Sequence, residues 1–410
     1  MAEQIETVVI GGGQAGLATS YYLSRHNREH IVLEQAAQAG NVWRNERWDS
    51  FTFVTPNWMI RMPGAEYNGN APDDFMPRDE IVRYFEQYVE RFHLPVRYNT
   101  CVLSIERDES TDSYCIETNN GVFHARNVVI AIGLFQKSKT PSSSSQISRD
   151  ILQLSASQYR NPDRLPPGAV LVVGSAQSGV QIVEDLLLSG RAVYLGVGKV
   201  GRVPRRYRGK DIVTWLYQID FFNRVTEKLP SPQARFAGNP QVSGARGGHS
   251  INLHQFARDG VRLLGHIQAV DGDTILLAPD LMENLARTDK FETDLIKMID
   301  DYIEKNGIAA PLETLPVLRD GFESPVLREL NLRDAQITSI IWATGFGFDF
   351  SWIQSAALDD DGFPIQQHGI TDQPGLYFVG LPWLPEQRTG LLLGVGENAA
   401  HVVSHIAENR

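Results

Sequence analysis

The sequence contains two glycine-rich loops with the residue types and spacing that binding of a dinucleotide requires. The first, Gly11-Gly12-Gly13-Gln14-Ala15-Gly16, follows a β-branched run and precedes a stretch with helical spacing. Its first glycine permits a tight turn, its third lets the backbone approach a pyrophosphate, and its last lets the helix pack closely on the strand. The helix N-terminus then offers free N–H groups and the positive end of its dipole to the phosphates. The predicted ligands in this loop are Gly11, Gly13, Gln14, Ala15 and Gly16.

A carboxylate follows the first loop where a bound ribose needs an acceptor. Glu34 ends the next apolar run, residues 31–33, about twenty positions after the loop. In dinucleotide folds such a side chain accepts hydrogen bonds from the ribose hydroxyls. Strand, loop, helix, strand and acid together indicate a βαβ unit of a parallel sheet, and they favour a binding role over a purely structural one.

The second loop repeats the pattern but lacks the acid. Residues 174–179 read G-S-A-Q-S-G, and aligning the two units by their strands places Gly196 where Glu34 stands. No carboxylate would then repel a 2′-phosphate. The basic residues that follow favour NADPH over NADH, although each could instead be a solvated surface cation. The predicted NADPH ligands are Gly174, Ser175, Gln177, Ser178 and Gly179, with the 2′-phosphate on Arg205 or Arg206 and with Lys199, Arg202 and Arg208 nearby.

Two dinucleotides in one chain need a common purpose. The economical one is hydride transfer from the nicotinamide of NADPH to a flavin, so the first loop with Glu34 is the predicted FAD site. The implied partner is a small-molecule substrate.

The elements that must position these loops predict an α/β fold with two Rossmann-like dinucleotide-binding domains. The chain of 410 residues is long enough for both. A serine run at 142–145 indicates a linker, and apolar strand patterns return at 337–343 and 375–379. Apolar spacing over 280–305 predicts a packed helix pair. We therefore predict an NADPH domain inserted into the FAD domain, with residues 1–140 as the first part of the FAD domain, 141–330 as the NADPH domain with a substrate-side insertion, and 331–410 as the completion of the FAD domain.

Composition excludes several other classes of protein. A net charge of −11 argues against a nucleic-acid surface. The two cysteines, Cys101 and Cys115, form no C-x-x-C pair, which argues against a redox-active dithiol. No apolar run is long enough to span a membrane, and the N-terminus lacks the pattern of a signal peptide, so a cytoplasmic protein is expected. A homo-oligomer is left open.

Further motifs give the sequence a resemblance to a known family. Beside the two loops, they are Trp43-Arg44, Arg47-Trp48-Asp49-Ser50, Thr55-Pro56-Asn57, residues 204–209 (PRRYRG), 342–346 (WATGF) and 375–380 (GLYFVG). With these, nearly the whole chain resembles the flavin-containing monooxygenase superfamily, including its bacterial and YUCCA-like members.

The resemblance implies an activity and further site residues. Trp43, Arg44 and Trp48 would line the FAD site, with core packing as the alternative for the tryptophans. Asn57 would face the flavin. Reduced flavin would capture O2 as a C4a-peroxide, and this adduct would oxygenate a nitrogen or sulfur nucleophile or a carbonyl compound.

Two positions depart from the family pattern, and one of them is Ile132 in Ala131-Ile132-Gly133, where the family has a threonine. Ser155 stands where the family has a histidine, four residues before the aromatic Tyr159. A hydroxyl does not titrate near neutral pH, so a gating or proton role of this catalytic position is altered. This leaves two alternatives to the monooxygenase: an NADPH oxidase or reductase that releases peroxide or passes electrons on, and a non-catalytic flavin-binding regulatory protein.

Two other sequence features carry no predicted function. His249, His254 and His266 do not have the spacing of a metal site. The glycine-rich stretch 244–248 is predicted to be a flexible loop.

Overall fold

Two parallel sheets, each with its own glycine loop, organise the chain. The computed structural model describes residues 2–354 and 356–409. The strands are β1 (Glu3–Ile10), β2 (His30–Leu33), β3 (Val96–Arg97), β4 (Val102–Asp108), β5 (Ser113–Thr118), β6 (Gly121–Ile130), β7 (Lys137–Ser138), β8 (Leu152–Ser155), β9 (Ala169–Val173), β10 (Val193–Gly196), β11 (Arg206–Tyr207), β12 (Lys210–Asp211), β13 (Arg262–Leu264), β14 (Ile267–Asp271), β15 (Thr274–Leu277), β16 (Glu329–Asn331), β17 (Ile337–Trp342), β18 (Phe346–Gly347) and β19 (Leu376–Phe378). The α-helices are α1 (Gln14–Arg25), α2 (Asn41–Asn45), α3 (Arg78–Phe92), α4 (Gln177–Leu188), α5 (Ile212–Gln218), α6 (Leu253–Arg258), α7 (Leu281–Lys305) and α8 (Val395–Glu408).

The first sheet has the strand order β3-β2-β1-β6-β5-β4, and β19 also pairs with β6. Strands β1, β2, β3, β6 and β19 run parallel, while β4 and β5 add an antiparallel extension. The β-branched end of β1, Val8 to Ile10, is buried, as expected for a strand covered on both faces. Helix α1 connects β1 to β2 and completes the predicted βαβ unit.

The second sheet has the order β13-β10-β9-β17-β8, and all of its pairs are parallel. Strand β9 is buried along its whole length, and α4 follows it directly after the second glycine loop. The predicted α/β class with two Rossmann-like units is therefore confirmed. Among the residues that the structure describes, no helix is long and apolar enough to cross a membrane.

The structure corrects two predictions about the elements. Strand β17 lies between β9 and β8 in the second sheet, so the chain has not yet returned to the first sheet at residue 331, and the predicted boundary comes too early. The return is made by β19 and α8. The region predicted as a helix pair is the single 25-residue helix α7, since neither glycine nor proline interrupts it.

Candidate active site

The first glycine loop has the close contacts and the open face that a pyrophosphate needs. Gly11 adopts φ +105°, and a Cβ on Gly16 would lie 1.8 Å from the carbonyl oxygen of Gly11. Only glycine therefore lets α1 approach β1 this closely. Gly13 is exposed, and a Cβ built on it would meet no heavy atom within 4 Å. The backbone at Gly13 is thus free to receive a phosphate group, and the residues present fit FAD.

Glu34 lies directly beside this loop, as predicted. Its Oε2 accepts a hydrogen bond from the backbone N–H of Gly12 at 2.6 Å, and its Oε1 accepts one from Ala36 at 2.8 Å. These two bonds fix the orientation of the carboxylate. Each oxygen keeps acceptor capacity for a ribose hydroxyl.

The second loop repeats the geometry with a neutral partner in place of the acid. Gly174 also adopts φ +105°, and a Cβ on Gly179 would lie 1.9 Å from the carbonyl oxygen of Gly174. The Ser175 hydroxyl accepts a hydrogen bond from the N–H of Gly198 at 3.0 Å, two residues beyond β10. Ser175 is the second residue of this loop, and Gly196 stands where Glu34 does in the first unit, so no carboxylate at that position would repel a 2′-phosphate.

The basic residues after β10 are mostly engaged with other groups of the chain, and this holds for Arg205 in particular. Arg205 is only 1% exposed; it forms an ion pair with Asp211 and donates to the carbonyl oxygen of Val54 at 2.7 Å. A guanidinium so enclosed is not available to a phosphate. Arg206 is exposed, but it donates to the carbonyl oxygens of Gly247 and Gly248.

Three more cations follow β10, and one of them is differently placed. Arg202 is buried and paired with Asp289 and Glu292, and Arg208 is paired with Asp300. Lys199 is exposed on the loop immediately after β10, and no ion pair between the described residues includes it. Lys199 thus differs from Arg202 and Arg208 in being exposed and without an ion-pair partner among the described residues.

Asn57 is buried between two segments of the first unit. Its backbone N–H donates to the carbonyl oxygen of Asp74 at 2.9 Å, and its Nδ2 donates to that of Ala71 at 3.0 Å. Its Oδ1 is buried and has no hydrogen-bond partner among the described residues. A buried acceptor of this kind favours a donor from a bound group.

Ser155 ends β8 at the carboxyl edge of the second sheet. Ser155 pairs with Trp342 of the neighbouring strand β17, and Trp342 pairs on its other side with Val173 of β9, just before the second glycine loop. Two strand spacings, about 10 Å, therefore separate Ser155 from that loop. Its hydroxyl lies 2.8 Å from that of Ser157, so it belongs to the local turn. None of the hydrogen bonds of the described residues joins it to Asn57.

The predicted FAD-lining residues divide into two groups. Trp43 is partly exposed, with its ring 5.0 Å from that of Phe53, whereas Trp48 is 4% exposed and packs with the core of the second unit. Core packing accounts for Trp48. Arg44 is paired with Glu86 at 2.5 Å.

Arg47 is a candidate that the sequence reasoning missed. Its guanidinium lies over the rings of Trp43 (5.3 Å) and Phe51 (5.8 Å) and donates to the carbonyl oxygen of Glu46. Burial lowers the pKa of Arg47. No ion pair of the described residues neutralises it, so a bound anion would be stabilised there. The available signal was its place in the motif Arg47-Trp48-Asp49-Ser50.

The stretch 244–248, predicted to be a flexible loop, instead packs between the two units. A Cβ on Gly244 would lie 1.7 Å from the carbonyl oxygen of Phe53 in the first unit. On the other side, Arg246 and His249 both contact Glu184 of α4. The glycines therefore permit close contact between the units. His254 and His266 are separate from this cluster and contact Asp289 and Asp280.

Comparison with known proteins gives a consistent result. The family model described as pyridine nucleotide-disulphide oxidoreductase matches residues 8–217. A protein of Geobacillus kaustophilus, described as an uncharacterized CzcO-like oxidoreductase, is 32% identical over 99% of both chains. The probable indole-3-pyruvate monooxygenase YUCCA3 of Arabidopsis thaliana is 25% identical over 98% of this chain and 86% of its own. Among solved structures, a flavin-containing monooxygenase from Stenotrophomonas maltophilia superposes with a TM-score of 0.67 at 17% identity, covering 99% of both chains.

The chain belongs to the pyridine nucleotide-disulphide oxidoreductase family. The predicted membership of the flavin-containing monooxygenase superfamily is confirmed, and with it an FAD-dependent oxidoreductase that uses NADPH. Both cysteines of this chain are free.

Proposed function

We propose that this enzyme is an NADPH-dependent FAD monooxygenase that oxygenates a small nucleophilic nitrogen or sulfur compound, or a carbonyl compound. The observation that carries the proposal is the contrast between the two glycine loops. In the first, the loop N–H of Gly12 donates to the carboxylate of Glu34, whereas in the second the loop hydroxyl of Ser175 accepts from the N–H of Gly198, and no carboxylate takes part. This contrast assigns FAD to the first loop and the 2′-phosphorylated coenzyme to the second.

FAD would be held by groups from three parts of the first unit. The loop backbone around Gly13 would bind the pyrophosphate, and Glu34 would accept from the ribose hydroxyls. The guanidinium of Arg47 would gain an anionic partner, which no ion pair between the described residues supplies. Asn57 would offer its buried Oδ1 to a donor of the flavin ring system.

NADPH would be held by the second loop and by Lys199. The N-terminus of α4 supplies N–H groups for the pyrophosphate, and Lys199 supplies a positive charge next to the adenosine ribose. FAD bound in this way would accept hydride from NADPH and supply the reactivity toward O2. The protein positions the two cofactors and excludes competing donors.

The test is an oxygen balance with the purified holoenzyme. Methyl phenyl sulfide is a suitable soft nucleophile, and the readouts are NADPH consumed, hydrogen peroxide released and sulfoxide formed. Sulfoxide that accounts for a large part of the NADPH supports the proposal. Peroxide that accounts for all of it, whatever amine, sulfide or ketone is added, refutes oxygenation and leaves the NADPH oxidase that Ser155 favours. A holoenzyme that never oxidises NADPH refutes both and leaves a non-catalytic flavin protein.

A conservative substitution tests whether Asn57 affects how the consumed NADPH is divided between sulfoxide and hydrogen peroxide. Replacement of Asn57 by Asp keeps the size of the side chain but puts a negative charge where a neutral acceptor stood. We expect Asn57→Asp to retain FAD and to release a larger share of NADPH as hydrogen peroxide. The matched control is Asn306→Asp, because Asn306 caps the C-terminal end of α7, where its Nδ2 donates to the carbonyl oxygen of Tyr302 at 2.8 Å.

A further inference from the structure

One face of helix α7 meets the loop that follows β10 at four successive points. We propose that Asn284 and Thr288 on this face are positioning residues that set the preference of the second site for a 2′-phosphorylated coenzyme. They would do so by holding the loop from Val197 to Arg202, so that its tip, Lys199, faces the adenosine ribose. This inference rests on the proposed function, since it takes Lys199 as the cation that binds the 2′-phosphate.

The two polar residues contact the loop on either side of Lys199. The Nδ2 of Asn284 donates to the carbonyl oxygen of Val197 at 3.1 Å. The Thr288 hydroxyl lies 2.8 Å from the carbonyl oxygen of Val200. Both side chains are fully buried. They are four residues apart on the helix and therefore share one face. The loop carbonyls satisfy the two buried donors, Asn284 Nδ2 and the Thr288 hydroxyl, whereas Asn284 Oδ1 has no hydrogen-bond partner among the described residues.

The next turn of α7 fixes the end of the loop. A Cβ on Gly201 would lie 2.2 Å from the ring of Phe291, so only glycine allows this contact. Arg202 donates to Glu292 at 3.0 and 2.7 Å and also pairs with Asp289. These carboxylates neutralise Arg202 and leave the exposed Lys199 as the cation of the loop that a coenzyme would meet.

The opposite side of the loop is held by the second glycine loop and its surroundings. The N–H of Gly198 donates to the Ser175 hydroxyl at 3.0 Å, and the N–H of Gln241 donates to the carbonyl oxygen of Gly201 at 2.9 Å. Backbone groups on both sides of Lys199 are thus tied to fixed elements, while its own side chain is exposed. A cation held on such a loop loses less conformational entropy when it binds a phosphate.

The proposal predicts that removing the Thr288 hydroxyl lowers affinity for the 2′-phosphate and leaves the rest of the coenzyme site intact. The probes are adenosine 2′,5′-bisphosphate and adenosine 5′-monophosphate, titrated calorimetrically into the FAD-loaded protein. Thr288→Val keeps the shape of the side chain but orphans a buried carbonyl. We expect the ratio of the two affinities to fall roughly tenfold, with the monophosphate affinity changed by less than about twofold. Thr288→Ser, which keeps the hydroxyl, should retain the ratio.

Two comparisons separate this role from a general effect on the helix. Thr293→Val is the matched control, because Thr293 is exposed and its hydroxyl contacts only the carbonyl oxygen of Asp289 on the same helix. In a Lys199→Ala background, Thr288→Val should lower the ratio no further, since both changes act on one contact. If Thr288→Val does not fold, Thr288→Ala takes its place in both comparisons.

Each outcome decides one of the two claims. If Lys199→Ala lowers the ratio and Thr288→Val does not, the role of α7 is refuted and the NADPH assignment stands. Equal losses for both ligands on Thr288→Val also refute it, because they indicate general damage to the site. If the unaltered protein does not prefer the bisphosphate at all, the NADPH assignment itself fails.

Discussion

Alanine at Gly179 tests whether the two loops bind different cofactors. A Cβ at this position would lie 1.9 Å from the carbonyl oxygen of Gly174, whereas ordinary contact begins at 3.4 Å. Helix α4 must therefore withdraw from the loop by about 1.5 Å. Alanine is a better helix former than glycine, so the helix itself is not weakened. The withdrawal moves its terminal N–H groups out of hydrogen-bonding distance of a pyrophosphate.

The expected loss follows from the number of bonds affected. Two N–H groups that each contribute about 1.5 kcal/mol to a charged phosphate together give about 3 kcal/mol, or roughly 10²-fold in NADPH affinity. FAD content should be unchanged. Gly16→Ala places its Cβ 1.8 Å from the carbonyl oxygen of Gly11 and should have the reverse effect, a protein purified without FAD.

The assay measures both cofactors in the same preparations. FAD per chain is read from absorbance after gel filtration, and NADPH affinity from calorimetry under anaerobic conditions. Gly347→Ala is the control, because its Cβ would meet its nearest atom at 3.6 Å, an ordinary contact. If Gly179→Ala loses FAD and keeps NADPH, or if both variants lose both cofactors equally, the assignment of the loops is wrong.

Three other predictions concern residues whose role the structure redefines. Trp48→Ala should lower the free energy of unfolding by about 3–5 kcal/mol in urea titrations, yet the folded fraction should keep its FAD, because Trp48 is a core residue; a stable variant without FAD would contradict this. Arg205→Met should lower the free energy of unfolding by about 3–5 kcal/mol, because it leaves the Asp211 carboxylate buried and unpaired, and adding Asp211→Asn should restore part of this free energy. Loss of NADPH affinity without loss of stability would instead favour a phosphate contact for Arg205. Burial alone would raise the pKa of Asp289, but hydrogen bonds from His254 and Arg202 outweigh it and hold that pKa below 3.8. A carboxyl group with a lowered pKa stabilises the fold above about pH 3.8, and this stabilisation is lost as the pH falls through the pKa of the folded state. The difference in melting temperature between the unaltered protein and Asp289→Asn should therefore be constant above pH 4 and become smaller below it. A difference that grows on acidification would contradict the assignment.

The glycine loops and Glu34 could be predicted from the sequence because their requirements are local. Each of these glycines is required by a close backbone contact with a residue near it in the chain, and Glu34 follows at the end of the next strand. Gly196 could also be identified from the sequence, and the absence of a carboxylate at this position favoured NADPH over NADH. The sheet that strand β17 joins could not be predicted, since an apolar run fits either parallel sheet and only tertiary packing selects between them.

The partners of the charged and polar side chains could not be predicted from the sequence either. The sequence shows Arg205 as one of several cations, and only the turn between β11 and β12 brings Asp211 back onto it. Helical periodicity predicted α7, yet it gave no reason to single out Asn284 and Thr288. Their importance comes from the loop that packs on them, which is 80 or more residues away in the chain.

The most direct test of the proposed function follows one oxygen atom. The holoenzyme is supplied with NADPH, methyl phenyl sulfide and ¹⁸O2, and the product is analysed by mass spectrometry. The proposed function predicts methyl phenyl sulfoxide carrying one ¹⁸O atom, in amounts that rise with NADPH consumed. Labelled hydrogen peroxide equal to all the NADPH consumed, with no labelled sulfoxide, would contradict it.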